Sequence, residues 1–220
     1  GLKNFMAGNS GVQMGGWFNK EINSPDDFKG LKMRIPGLGG MMVSKLGVSV
    51  VGMPGGQIYE NLVNGTIDAC EWVGPWNDER SRFYEAAKYY YGPGYHEPGT
   101  LITLGCNKSW LTSLSKTDQM IIEHAATVQN ERMVTEYNFQ NGAALKRLVN
   151  DHGVELREFS EDVVDAFGAA SEELYSELAE GDALTGKILE SYKKARTDIG
   201  GWLNIADSGY FNQRRRVLEG

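Results

Sequence analysis

Two glutamates stand among residues that rarely surround a solvated acid. Glu71 closes the strand-like run Ile67-Asp68-Ala69-Cys70-Glu71-Trp72-Val73 and is followed by Gly74-Pro75-Trp76. Glu97 comes after Tyr89-Tyr90-Tyr91, the Gly92-Pro93-Gly94 turn, Tyr95 and His96. Aromatics, glycines and prolines place such acids either on loop tips or at a poorly solvated point that needs negative charge. Arg34 ends the run Leu31-Lys32-Met33-Arg34-Ile35, just before Pro36-Gly37, at the strand end where α/β sheets gather ligand-binding groups. It is either a surface strand residue or a guanidinium fork for a carboxylate, a bidentate grip that lysine does not offer. Trp72, wedged between Glu71 and a Gly-Pro break, is either core or a wall beside that acid.

Other chemistries find less in the chain. There is no G-x-S-x-G nucleophile elbow, and His96, His124 and His152 show no zinc-ligand spacing. His124 falls within a helical run and reads as a helix-surface residue. Cys70 and Cys106 read as small buried thiols, since two cysteines make neither a disulfide framework nor a metal motif. Gly37-Leu38-Gly39-Gly40 lacks the last glycine of a dinucleotide loop and reads as a strand-to-helix turn.

The elements that must hold these residues follow from pattern. Ser24-Pro25-Asp26-Asp27 is a helix start, with a capping residue, proline in the first turn and acids at the positive end. A strand over 31–35, a helix over 38–47, a strand over 48–51, a helix from Gly55 to Asn64 and a strand over 67–73 predict a parallel α/β sheet. A further strand runs from Thr100 to Cys106. From Ser115 no glycine or proline interrupts until Gly142, and apolar residues recur at helical spacing. A helix of about 35 residues would span roughly 50 Å, longer than one small lobe is wide, and predicts a bridge between two lobes. A short strand over 154–159 and further helices complete the chain.

Composition bounds the function classes. The 220 residues carry a net charge of −7, which argues against nucleic-acid binding because phosphate contacts need a basic surface. Arg214-Arg215-Arg216 is too short a run to reverse that and reads as a solvated helix face. No run of 18 apolar residues is present to span a bilayer.

In order and spacing, Gln13, "GWFNKEI", "DFKGLKMRIPG", "GGQIYENLVNGTIDACEW", "YHEPG" and the helix after "LSKTD" resemble the extracytoplasmic solute-binding proteins of tripartite ATP-independent periplasmic (TRAP) transporters. Within them the chain is most similar to the branch that binds 2-oxo acids and lactate with a metal ion. The resemblance covers essentially the whole chain. It leaves out the family's amino-terminal segment with its signal peptide, so the chain is expected to match the carboxy-terminal part of such a protein. The resemblance implies a two-lobed periplasmic-binding-protein-like α/β fold. On that plan residues 1–70 and 98–114 form mainly the carboxy-terminal-lobe sheet, and 71–97 contribute to the other lobe and the cleft. Residues 115–152 form the bridging helix, 153–200 a strand and packing helices, and 201–220 a terminal helix, either solvated or swapped across a homodimer.

The resemblance also implies roles. Arg34 grips the substrate carboxylate, Gln13 touches substrate and metal, and Glu71, the Trp72 carbonyl and Glu97 ligate the metal. An all-oxygen set suits a hard cation, Na⁺ or Ca²⁺. Two glutamates, one substrate carboxylate and Arg34 sum to −2, which Ca²⁺ neutralises and Na⁺ reduces to −1. The implied function is non-enzymatic binding of a small carboxylate in the periplasm for delivery to membrane permease subunits. The alternative is a metal-dependent lyase or enolising enzyme that uses the same two acids on 2-oxo acids.

Overall fold

The computed structural model describes residues 1–218, which form two compact units, Gly1–Ala170 and the described residues from Ser171 onward. The first unit begins with strand β1 (Leu2–Asn9) and β2 (Gly16–Phe18), then β3 (Lys32–Arg34), helix α1 (Gly37–Lys45) and β4 (Ser49–Val50). Helix α2 (Ile58–Val63), β5 (Ala69–Cys70), α3 (Pro75–Arg80), β6 (Tyr89–Gly92), β7 (Leu101–Asn107) and α4 (Lys108–Ser113) follow. The long helix α5 (Lys116–Asn150), β8 (Glu155–Glu158) and the first half of α6 (Glu161–Gly181) complete the unit.

Six strands form one sheet in the order β4-β3-β5-β2-β6-β8. The expected parallel pairing holds where helices cross over: β3 is parallel to both β4 and β5, with Arg34 opposite Cys70. Outside those crossovers the sheet is mixed, because β2 lies antiparallel to both β5 and β6. Local pattern fixes orientation only for strands joined by a crossover, and β2 reaches its neighbours through long-range pairing. A second difference concerns β1 and β7, which pair with each other in a separate two-stranded sheet rather than joining the larger one. The strand expected over 67–73 is confined to Ala69–Cys70, so Glu71 is the first residue beyond a strand end.

Alternation along β2 and β6 builds the core on both faces. Trp17 lies opposite Tyr90 and their rings stack at 4.0 Å, while Phe18 and Tyr91 project to the other face and meet edge to face at 5.2 Å. The first face packs on Ile58, Leu62, Ile67, Phe83 and Leu148. On the second, Tyr91 stacks on Phe159 at 4.6 Å, and Phe28 meets Phe167 at 5.4 Å. A sheet covered on both faces explains why its strands read as near-continuous apolar runs.

Helix α5 has the length expected, 35 residues. It starts where Ser115 Oγ accepts from the Asp118 amide at 3.1 Å. Its carboxy-terminal turns insert Ala144 and Leu148 into the core, both fully buried. Helix α3 docks on it: the Trp76 amide donates to Asn141 Oδ1 at 3.0 Å, and Arg147 grips Glu79 through two bonds of 2.7 and 2.6 Å. The helix also packs on β1, so it touches both sheets of this unit.

In the second unit, helix α7 (Ala183–Ile205) is capped by Asp182, which accepts from the Thr185 amide at 2.7 Å. Lys193 and Arg196 both pair with Glu172 of α6, at 2.8 and 2.7 Å. The sequence places a boundary at Gly201, but α7 runs on through Gly200-Gly201 and breaks at Ala206, before α8 (Asp207–Leu218). Two glycines cost a helix about 1 kcal/mol each, which a helix of 23 residues absorbs. Glu219 and Gly220, part of the expected terminal helix, lie outside the described residues. Among the described residues no helix is long and apolar enough to cross a membrane.

Candidate functional site

The end of β3 and the end of β5 lie side by side, and this sets the first half of the site. The Glu71 amide donates to the Arg34 carbonyl at 3.1 Å, extending the β3–β5 ladder by one residue. Both side chains then turn the same way. Arg34 Nη1 pairs with Glu71 Oε1 and also donates to the Glu71 carbonyl at 3.1 Å, while Nε reaches the Met53 carbonyl at 3.5 Å. The guanidinium lies 5.3 Å from the Trp72 ring. On its far side Glu71 Oε2 meets His96 Nε2 at 3.2 Å. Glu71 is only 3% exposed, so this buried acid is held between a cation and an imidazole.

The second half is a relay from Gln13 to Glu97. Gln13 Nε2 donates to Thr100 Oγ1, which donates to Glu97 Oε2 at 2.8 Å. The other amide atom, Gln13 Oε1, is buried with no partner among the described residues. The backbone of residues 13–15 straps the halves together. The Gln13 amide donates to the Glu97 carbonyl at 3.2 Å, the Met14 amide to Val73 at 3.1 Å and the Gly15 amide to Tyr91 at 2.7 Å. The Gly94 amide closes the strap on the Gln13 carbonyl at 2.6 Å. All five residues singled out in the sequence therefore lie on one strap-and-turn assembly. Arg34, Glu71 and Trp72 are in direct contact, Gln13 reaches Glu97 through Thr100, and the two glutamates hold separate partners.

Below them a second buried acid fixes the turn that carries Trp72. Asp78 Oδ1 accepts from the Val73 and Gly74 amides at 3.3 and 3.1 Å, and Oδ2 accepts from Trp17 Nε1 and the Tyr90 hydroxyl at 2.9 and 2.8 Å. Burial pushes its carboxyl up to about 6, against the pull of these four donors. Burial, with the charges of Asp78 and Glu71 added, pushes the Cys70 thiol well above its ordinary value, which leaves it inert as a nucleophile. Burial and the charge of Glu71 likewise raise the Tyr95 phenol. A surface groove of about 550 Å³ bounded by Leu62, Tyr84 and His152 shares none of the five residues.

Sequence reasoning missed four contributors: Tyr95, His96, Thr100 and Asp78. Two had a local signal, since Tyr95 and His96 directly precede Glu97. Asp78 had a weaker one, an acid four residues after Gly74 in a helix opened by proline. Thr100 had none, because its role depends on Gln13 arriving from 87 residues away.

Residues 1–182 match the family described as bacterial extracellular solute-binding protein, family 7, or DctP. The chain belongs to that family. A DctP relative from Nostoc sp., named a monocarboxylate 2-oxoacid-binding periplasmic protein, is 43% identical over 209 residues, covering 95% of this chain and 57% of the relative. The chain thus spans a little over half of that protein. A TRAP transporter solute-binding protein from Bordetella bronchiseptica superposes with a TM-score of 0.94 at 40% identity, over 99% of this chain and 65% of that one. Its structure is described as a mixed-occupancy dimer with copurified calcium and picolinate. One from Colwellia psychrerythraea, with bound calcium and pyruvate, gives 0.93 at 41% identity, covering 97% and 65%. One from Pseudoalteromonas atlantica, with bound sodium and pyruvate, gives 0.91 at 40% identity, covering 96% and 64%. The α/β fold expected from the sequence is that of these DctP proteins.

The DctP site suits a hard cation on its own chemistry. Gln13 presents a buried acceptor to which nothing among the described residues donates, an orphan that costs about 1–3 kcal/mol unless something fills it. Gln13, Glu71, Glu97 and a backbone carbonyl would offer a cation only oxygen donors. Among the described residues no three of His, Cys, Asp and Glu converge as a metal cluster.

Proposed function

We propose that the chain binds a small 2-oxo or 2-hydroxy carboxylate together with Na⁺ or Ca²⁺ outside the cytoplasm, for hand-over to TRAP-type membrane permease subunits. The observation that carries this reading is the buried charge set. Glu71 is held between Arg34 and His96, and among the described residues the buried Gln13 Oε1 on the neighbouring strap has no hydrogen-bond partner. Arg34 takes the ligand carboxylate: its contacts with Glu71 and Met53 engage three of its five N–H donors, leaving the Nη2 pair for a second carboxylate. Gln13 Oε1, Glu71, the Trp72 carbonyl and Glu97 hold the cation. The cation supplies positive charge against two glutamates and the ligand. Trp72 covers the guanidinium and shields this pairing from water, which strengthens it. Binding without bond breaking is the activity of a DctP protein, and a metal-dependent lyase is not favoured. The last helices carry Trp202, Tyr210 and Phe211 at 66, 64 and 58% exposure; a second copy of the chain covers them in a homodimer.

The test is calorimetric titration of metal-stripped protein with pyruvate, with and without Ca²⁺ or Na⁺, beside Arg34→Lys. Lysine keeps the charge that Glu71 needs but loses the planar fork. Cation-dependent binding that weakens at least tenfold in the variant is the expected result. Folded protein that takes up no pyruvate in either salt would refute the reading, and conversion of pyruvate would favour the lyase.

A further inference from the structure

Among the described residues three buried polar atoms without partners come from the segments that frame the site: Gln13 Oε1, His96 Nδ1 and the Tyr95 hydroxyl. The first is an acceptor and the cation reading uses it. The Tyr95 hydroxyl is different, because it is a donor that no backbone or side chain answers.

Its ring cannot swing away to find water. It stacks on Phe167 at 3.9 Å and 22°, and it meets His96 and Phe159 edge to face at 5.0 and 5.5 Å. The backbone is pinned as well. The Gly94 amide is bound to the Gln13 carbonyl, and a Cβ on Gly94 would lie 2.6 Å from that carbonyl oxygen. Tyr95 is thereby locked next to the strap that presents Gln13, and Glu71 is the charged group whose field reaches its hydroxyl. A buried hydroxyl held rigidly with no acceptor is unfavourable. Its neighbours Tyr90 and Tyr91 show the ordinary solution, with their hydroxyls donating to Asp78 at 2.8 Å and to the Ile22 carbonyl at 3.3 Å.

We infer that Tyr95 is a ligand-reading residue, whose hydroxyl donates to an oxygen of the bound acid. This rests on the carboxylate-binding function proposed above. Arg34 and the cation supply charge, which any small anion satisfies. A rigid neutral donor instead discriminates by position, because a ligand without an oxygen there leaves the hydroxyl unanswered. The chemistry required is an acceptor oxygen on a compact acid, either on its carboxylate or on the adjacent carbon.

The experiment uses the full chain, pyruvate and Ca²⁺, comparing the unaltered protein with Tyr95→Phe. Phenylalanine keeps the stack on Phe167 and removes only the hydroxyl. The expected result is an affinity for pyruvate at least fivefold weaker, with the unfolding midpoint of the ligand-free variant unchanged or raised. Equal affinity in the two proteins overturns the inference, since the hydroxyl would then be answered by buried water alone. A lowered midpoint with unchanged affinity overturns it as well and makes Tyr95 structural. Failure of the unaltered protein to bind pyruvate would be the distinct failure of the proposed function.

Discussion

Asp78 offers the sharpest test of the energetics. It is fully buried, accepts four hydrogen bonds and titrates at about 6 rather than 3.8. Burial is the dominant cause, so the folded state holds the proton more tightly than the unfolded chain does. The sign follows from linkage: a raised folded pKa means stability that is fully present below about pH 4 and lost as pH rises through 6. With 3.8 unfolded and about 6 folded, the group removes about 2 kcal/mol between pH 4.5 and 7.0, and about 3 kcal/mol from the acid limit. Asp78→Asn keeps the shape but cannot ionise, and its amide group meets either Trp17 Nε1–H or the Val73 and Gly74 amides donor to donor. Urea unfolding of both proteins at pH 4.5 and 7.0 reads the difference. Partly exposed acids such as Glu155 and Glu172, whose pKa values are lowered by cationic partners, add slopes of the opposite sign, but these are common to both proteins and cancel. The gap between the proteins should therefore move by about 2 kcal/mol in the variant's favour as pH rises. A gap that stays constant would refute the claim that Asp78 changes ionisation in the folded core.

Two further outcomes follow from close packing. Gly55→Ala places a Cβ 2.2 Å from the Trp72 ring, so the ring must leave its place over Arg34. Pyruvate affinity should fall and tryptophan fluorescence shift, with a stability cost of about 1–3 kcal/mol, and an unchanged titration would show that Trp72 does not shield the guanidinium. Tyr91→Phe removes the hydroxyl that accepts from the Ile22 amide at 2.7 Å. Leaving that amide unanswered should cost about 1–3 kcal/mol in urea unfolding, with pyruvate binding unaffected.

Much of this protein was legible in its residues. Ser115 and an uninterrupted helical pattern located α5 with its length. Pro25 after Ser24, the helix starts and the β-branched runs located the elements around Arg34. Glu71 and Glu97 were conspicuous from their aromatic, glycine and proline neighbours; the structure buries Glu71 and leaves Glu97 partly exposed. What was not legible was contact across the chain. No pattern near Glu71 announces that Arg34 and His96 share it, nor that Asp78 gathers donors from two other strands. Secondary structure follows from neighbours three or four residues apart, whose propensities and caps are written in order along the chain. The antiparallel insertion of β2, the separate β1–β7 sheet and the Gln13–Thr100–Glu97 relay join residues tens of positions apart. The closing of those long loops is decided by burial of the whole core, and only the tertiary structure could bring those side chains together.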